Sequence, residues 1–165
     1  MSILHVVKGC PLFYELYDEE IMKIVEKCRV VKFERGDHVF LQGDEGNEIY
    51  LVLNGSAVVK KGELELAKLR KGDLFGEMVL LKDNLRHADI YIDNYTDVLV
   101  ISYSDIFGLY DTNNKLFSLI MLNLSRMLAT RLKKAGETIE ELKKERLEEF
   151  EDDDDELLDS EDYAA

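Results

Sequence analysis

The chain has 165 residues, 46% of them apolar, and a formal net charge of −14 at pH 7. This size suits one domain with its own core. The sequence contains no run of about 18 apolar residues, the length that would predict a membrane span. Eleven acidic residues and no basic one lie between Glu148 and Asp162, and such an acidic end repels nucleic acids and anionic membrane surfaces.

The N-terminal part predicts helices over residues 11–28. Pro11 suits a first helical turn, and the acidic residues 18–20 are placed to begin a second short helix within this segment. The segment before Pro11 is too short and too polar for a signal peptide, so we expect a cytoplasmic protein. Apolar residues recur at helix spacing at Leu12, Leu16, Ile21, Ile24, Val25 and Cys28.

Residues 29–102 predict short strands joined by glycine turns. Seven of the ten glycines lie between Gly36 and Gly76, and β-branched runs fill the spaces between turns. This pattern predicts a mainly β fold with flanking helices, a β-roll or jelly roll (double-stranded β-helix). The predicted strands are 30–33, 38–41, 49–53, 57–59, 64–69, 87–92 and 98–101, with a tight hairpin at 61–63.

Residues 103–148 predict helices again. Ser104 is placed to cap a short helix over 105–110, residues 111–114 supply the next cap, and a long helix follows from about Lys115. We expect residues 116–124 to pack inward and the part from Leu128 onward to form a heptad seam with a second copy of the chain. The alternative is that the whole helix lies flat on its own β-roll. The apolar positions of this helix are Met121, Leu124, Leu128, Leu132, Ala135, Ile139 and Leu142.

Residues 1–148 are therefore expected to form one domain, and residues 149–165 an acidic, disordered tail. The tail either keeps the protein in solution or offers its charge to a basic partner.

One segment carries the candidate site. Phe75 and Gly76 end a strand, Glu77 and Met78 open an apolar helical turn, and Arg86 follows ten residues after Gly76. Free backbone N–H groups and a guanidinium fork suit a phosphate, and a carboxylate beside them suits the hydroxyls of a sugar. This spacing indicates a nucleotide site; a structural Glu77–Arg86 salt bridge is the alternative.

Residues 11–145 resemble the cyclic nucleotide-binding domain family, which includes catabolite-activator-type regulators, kinase regulatory subunits and nucleotide-gated channels. The resemblance covers an opening helix, several turns and the phosphate-binding cassette. The residues that carry it are 11–13, 33–40, 43–48, 49–55 and 72–77, followed by the cassette.

The resemblance implies a role for each site residue. Gly76 and Met78 would offer backbone N–H groups, Glu77 would hold the ribose, and Arg86 would pair with the cyclic phosphate. Ala88 would allow close backbone approach. Val59 and Leu66 would form the apolar wall under the base, and Phe75 is also expected among the ligand-binding residues.

The chain departs from the family pattern within and beyond the cassette. Leu85 stands where proline is usual, and Val79 replaces a small alanine. His87 stands where a threonine often accompanies cGMP preference; its side chain either adds a hydrogen bond to phosphate or points outward. Ala135 and Gly136 match two positions whose hydroxyl groups reach the adenine in the transcription activators, and neither offers a side-chain donor, so they do not select the base. Because the threonine is missing after Arg86, the expected ligand is cAMP, with cGMP less expected.

These observations predict a stand-alone cyclic nucleotide sensor without a DNA-binding domain, acting as a homodimer and reporting to an unknown protein partner. A ligand-free, dimeric interaction module is the alternative. A metal-dependent enzyme is disfavoured because His5, His38 and His87 are the only histidines and form no His-x-His pair. Cys10 and Cys28 have no zinc-motif spacing and are expected to be reduced thiols.

Overall fold

A computed structural model describes residues 2–80 and 84–161, with side chains as far as residue 147. The chain divides into two compact units, Met1–Leu124 and Ser125–Ala165. The first contains the strands of the described residues, and the second continues a long helix that begins in the first. The division into compact units falls inside this helix, and the predicted domain boundary at residue 148 stays a prediction.

Within the described residues, eight strands form two antiparallel four-stranded sheets with orders β1-β8-β3-β6 and β2-β7-β4-β5. The arrangement confirms the predicted β-roll with flanking helices. The strands are β1 (Arg29–Phe33), β2 (His38–Phe40), β3 (Glu48–Asn54), β4 (Ser56–Lys61), β5 (Leu64–Arg70), β6 (Leu74–Phe75), β7 (Asp89–Ile92) and β8 (Thr96–Ser102).

The main core lies between the two sheets. Strands β3 and β8 are buried along most of their length. One face of each strand meets the opposite sheet, and the residues on the other face are buried as well. Along β3, Tyr50 and Val52 belong to the inter-sheet core, while Ile49, Leu51 and Leu53 are also at most 8% exposed. The core between the sheets contains Phe40, Tyr50, Val52, Ala57, Leu69, Phe75, Ile90, Ile92, Val98 and Val100.

The N-terminal helices differ in detail from the prediction. An additional helix, α1, spans Ile3–Gly9 and buries Val6 and Val7, and a 3₁₀ helix follows at Pro11–Phe13. Helix α2 spans Asp18–Val25, as the acidic start at residues 18–20 predicted. The Glu20 carboxylate accepts a hydrogen bond from the Tyr17 backbone N–H at 2.9 Å and so stabilises this helix start.

The C-terminal helices begin earlier than predicted. Helix α3 spans Tyr103–Phe107 with Ser102, not Ser104, at its N-cap, and α4 spans Leu109–Thr112. Helix α5 spans Asn114–Glu161. The Asn113 side chain accepts a hydrogen bond from the Leu116 N–H at 3.1 Å, which confirms the cap predicted within residues 111–114.

The acidic end continues helix α5. Its backbone is helical through residues 149–161, and the disorder expected from its charge and composition stays a prediction. A helix that has already formed extends by one hydrogen bond for each residue added, and Glu and Leu favour that extension. Residues 162–165 of the predicted tail lie outside the described residues. No helix within the described part of the chain is long and apolar enough to cross a membrane.

Candidate functional site

The site is built on the turn that follows β6. Gly76 has a φ of +82°, a left-handed conformation that favours glycine. A 3₁₀ helix spans Glu77–Leu80 directly after it, as the sequence predicted, and the Val79 N–H donates to the Gly76 carbonyl at 3.2 Å. Residues 81–83 of the predicted cassette lie outside the described residues.

Backbone pairing places Arg86 beside a second turn, at residues 43–46. The Arg86 N–H donates to the Asp44 carbonyl at 2.9 Å, and the Gly43 N–H donates to the Arg86 carbonyl at 2.8 Å. Glu45 and Leu85 form an isolated antiparallel bridge between the same segments. The backbone of Arg86 is therefore fixed from both sides, which fixes where its side chain starts.

The Arg86 side chain is 3% exposed and lies among aromatic rings. Its Cζ atom is 4.2 Å from the centroid of the Phe40 ring and 5.5 Å from that of Tyr50. Its Nη1 atom donates to the backbone carbonyls of Glu48 at 3.0 Å and Gly76 at 3.2 Å. A buried guanidinium of this kind is held in one orientation by stacking and by hydrogen bonds.

Part of the guanidinium's donor capacity is left over. Its Nε atom is buried and has no hydrogen-bond partner among the described residues. Its Nη2 atom lies 3.7 Å from Glu48 Oε2, which is an ion-pair distance but too long for a hydrogen bond. Because an unpaired buried donor is costly, these atoms indicate a place for an anionic or hydrogen-bonding group.

Glu48 connects Arg86 to a second arginine. Its Oε1 atom is 3.1 Å from Arg29 Nη2, and its Oε2 atom accepts a hydrogen bond from the Tyr50 hydroxyl at 3.4 Å. Burial raises the pKa of Tyr50, and the Glu48 carboxylate raises it further. The phenol therefore stays protonated and continues to donate to the carboxylate.

Glycine is required at two positions around Arg86. A Cβ atom at Gly46 would overlap the guanidinium, and a Cβ atom at Gly76 would lie 3.1 Å from Nη1. The predicted Gly76 is thus explained by both its φ and its closeness to Arg86. Gly46 belongs to the turn at 43–46 that carried the family resemblance.

The other predicted cassette residues surround this turn with different exposures. Glu77, His87 and Ala88 are half-buried, and Met78 is 42% exposed. Phe75 is 3% exposed and stacks on Tyr50 with ring centroids 5.1 Å apart. Phe75 therefore packs in the core beneath the site, and its predicted contact with a ligand stays a prediction.

The two residues predicted to lie under the base are placed on neighbouring strands. Val59 is half-buried and packs against the inter-sheet core from β4. Leu66 is 52% exposed on β5. The register of these strands shifts between Val59, which pairs with Ala67, and Lys60, which pairs with Glu65, so Leu66 is the extra residue of a β-bulge.

Glu48, Phe40 and Tyr50 complete the surroundings of Arg86 and were not predicted from the sequence. Their separation from Arg86 along the chain hides the cluster; Glu48, for example, is 38 residues away. A buried arginine requires a nearby carboxylate or carbonyl groups, and that requirement was the available signal. It does not specify which of the many acidic residues supplies the carboxylate.

Comparisons with known proteins agree with this geometry. The family model described as "Cyclic nucleotide-binding domain" matches residues 30–113. The "Cyclic AMP receptor protein" of Thermus thermophilus is 33% identical over 134 residues, 78% of this chain and 60% of the relative. A cGMP-dependent protein kinase of Toxoplasma gondii is 35% identical over 85 residues, 51% of this chain and 9% of the kinase.

A solved structure shows the same fold. The crystal structure of the Thermus thermophilus catabolite activator protein has a TM-score of 0.68 at 32% identity, covering 80% of this chain and 62% of that one. The chain thus spans about three fifths of the length of its Thermus relatives. Because the family model matches more than half of the chain, and includes the turn, the 3₁₀ helix and Arg86, the chain belongs to the cyclic nucleotide-binding domain family.

Proposed function

We propose that this protein is a non-catalytic cyclic nucleotide sensor, with cAMP as its ligand. The observation that carries the proposal is the Arg86 guanidinium, which is 3% exposed and retains a buried Nε atom without a hydrogen-bond partner among the described residues. A phosphate oxygen supplies the acceptor that this donor lacks, and a charge-assisted bond of this kind is strong.

The surrounding residues suit the remaining parts of a nucleotide. Arg86 pairs with the cyclic phosphate, and the backbone N–H groups of Gly76 and Met78 bind the same group. Glu77, half-buried at the start of the 3₁₀ helix, accepts hydrogen bonds from the ribose hydroxyls. His87 and Ala88 follow Arg86 along the edge of the phosphate site.

The base lies over the apolar residues of β4 and β5. Val59 supplies a half-buried surface and Leu66 an exposed one. Neither side chain carries a hydrogen-bonding group, so neither distinguishes adenine from guanine. The preference for cAMP rests on the relative named for cyclic AMP and on the absence of a threonine after Arg86; the relative named for cGMP makes cGMP the competing ligand.

The second part of α5 suits a homodimer that transmits the signal. Leu128, Leu132, Ile139 and Leu142 are 37–76% exposed in the single chain. Together with Ala135, they are spaced by three and four residues, which is the spacing of two packed helices. We propose that two copies pair through this seam and that a protein partner reads the resulting state.

Calorimetric titration of the purified protein with cAMP and with cGMP tests the proposal. We expect saturable binding of cAMP, with cGMP weaker. Arg86→Ala should weaken it by about 30- to 1000-fold, because the lost contact corresponds to about 2–4 kcal/mol. Arg86→Lys keeps the charge but loses the fork, and should also bind more weakly.

Arg35→Ala is the matched control, because Arg35 is an exposed arginine and its removal should leave affinity unchanged. Thermal unfolding of each variant shows that the fold persists. An absence of heat with either nucleotide, in a folded protein, would contradict the proposal. That outcome would favour the second candidate, a dimeric interaction module built on the exposed leucines of α5.

A further inference from the structure

We propose that Glu48 selects the ligand by charge, so that the site favours the singly charged cyclic phosphodiester over doubly charged phosphate monoesters. The inference rests on the proposed function and adds a specificity-determining residue to the same site. Glu48 lies between two arginines and offsets part of the positive charge that meets the phosphate.

The geometry keeps the Glu48 carboxylate near the phosphate-binding arginine. Its Oε2 atom is 3.7 Å from Arg86 Nη2, and its Oε1 atom is 3.1 Å from Arg29 Nη2. The Tyr50 hydroxyl donates to Oε2 at 3.4 Å. The backbone is fixed as well, since the Glu48 carbonyl accepts from Arg86 Nη1 at 3.0 Å.

The charges of this cluster favour one added negative charge. Both guanidinium groups stay charged at any relevant pH, so the two arginines and Glu48 together carry one net positive charge. A cyclic phosphodiester carries one negative charge, whereas a phosphate monoester carries roughly 1.5 to 2 near pH 7. Glu77 also repels the doubly charged phosphate more than the singly charged one, but every variant compared contains Glu77, so its contribution cancels from the comparison.

Coulomb energy scales with the product of the charges, so Glu48 repels the monoester about twice as strongly in free energy as the cyclic phosphate. Removing a like charge within about 4–6 Å is worth on the order of tenfold in an equilibrium constant. Glu48→Gln should therefore tighten cAMP binding about tenfold and 5′-AMP binding about a hundredfold. The preference for cAMP over 5′-AMP should fall about tenfold.

The test measures the affinities of cAMP and 5′-AMP for the wild-type chain, Glu48→Gln and a control by calorimetry or competition. Glu26→Gln is the control, because Glu26 is an exposed residue at the end of α2 and its loss changes net charge equally. We expect the affinity ratio of the control to match that of the wild type. A Glu48→Gln ratio within twofold of the wild type overturns the inference.

Arg29→Gln provides a second test that does not depend on how Glu48→Gln folds. The Arg29 side chain is 65% exposed, and its loss leaves Glu48 to act on Arg86 alone. Binding of 5′-AMP should then weaken more than binding of cAMP, the opposite direction to Glu48→Gln. Shifts in the same direction would mean that both residues only position Arg86, and would overturn the inference.

Different results contradict the charge selection by Glu48 and the proposed function. A wild-type chain that binds cAMP with an unchanged ratio in Glu48→Gln contradicts the charge selection only. A folded wild-type chain that binds neither nucleotide contradicts the proposed function, and the inference with it.

Discussion

The apolar residues of α5 keep one spacing along the helix, but the helix is surrounded very differently in its two parts. Before residue 125, Leu116, Ile120 and Leu124 are 2%, 1% and 4% exposed. After it, Leu132 and Ile139 are 76% and 55% exposed. Helical periodicity therefore predicts which residues share a face, but not what covers that face.

The first part is also fixed by a buried polar contact. The Asn123 side chain is 2% exposed and donates to the Leu12 carbonyl at 3.2 Å and the Tyr14 carbonyl at 2.7 Å. These bonds attach α5 to the segment around the N-terminal 3₁₀ helix. Hydrogen bonds of this kind fix the first part of α5 against its own domain. The exposed row of leucines in the second part has no such cover and indicates a partner chain.

The largest expected difference in stability comes from replacing one isoleucine with alanine in each part of α5. Ile120→Ala should lower the free energy of unfolding by about 3 kcal/mol, since it removes buried methyl groups and leaves a cavity. Ile139→Ala should change it by less than about 0.5 kcal/mol in dilute protein, where the helix has no partner. Urea unfolding at low concentration measures both. Equal losses would show that the second part is also covered within one chain.

An intermediate effect is expected at the buried polar contact. Asn123→Ala should lower the free energy of unfolding by about 2 kcal/mol, because it removes the donor from the buried Leu12 carbonyl and from the part-buried Tyr14 carbonyl. Asn114→Ala, at the exposed start of the same helix, is the control and should cost less than about 0.5 kcal/mol. Urea unfolding again gives the values. A loss at Asn123 no larger than that of the control would contradict a stabilising role for this contact.

Much of the fold could be predicted from local signals. Glycine turns at regular spacing bounded most strands within two or three residues, and the cap at Asn113 located the start of α5. A strand end was predicted at Phe75, but the extent of β6 was not, because Leu74 and Phe75 are too few to show an alternating pattern. Helix α1 was missed because its seven residues include two valines, which favour helices weakly, and the Ser2 side chain forms no cap bond.

The site was predictable where one segment carries it. The spacing from Gly76 to Arg86 predicted that the two residues lie together, and the Arg86 Nη1 atom donates to the Gly76 carbonyl at 3.2 Å. Glu48 was not identifiable, because its closeness to Arg86 arises from strand β3 and a turn on another part of the chain. The burial of Phe75 was not predictable either, because a sequence does not say which side of a strand faces the core.

The smallest expected effect concerns Gly136, which lies within the exposed part of α5. A Cβ atom at this position would meet nothing within 4 Å in the single chain. Gly136→Ala should therefore stabilise the helix by about 1 kcal/mol, since alanine has less backbone freedom to lose than glycine. Circular dichroism at 222 nm during thermal unfolding, together with sedimentation equilibrium, measures the helix and its self-association.

Helix stability and self-association, measured together, decide how the exposed leucines pair. In an ordinary heptad seam Gly136 makes no special contact, so the more stable helix of Gly136→Ala should dimerise at least as tightly as the wild type. If the partner helix instead approaches closely at Gly136, the added methyl group separates the backbones. Dimerisation then weakens while helix content rises, and the heptad model of the second part is wrong.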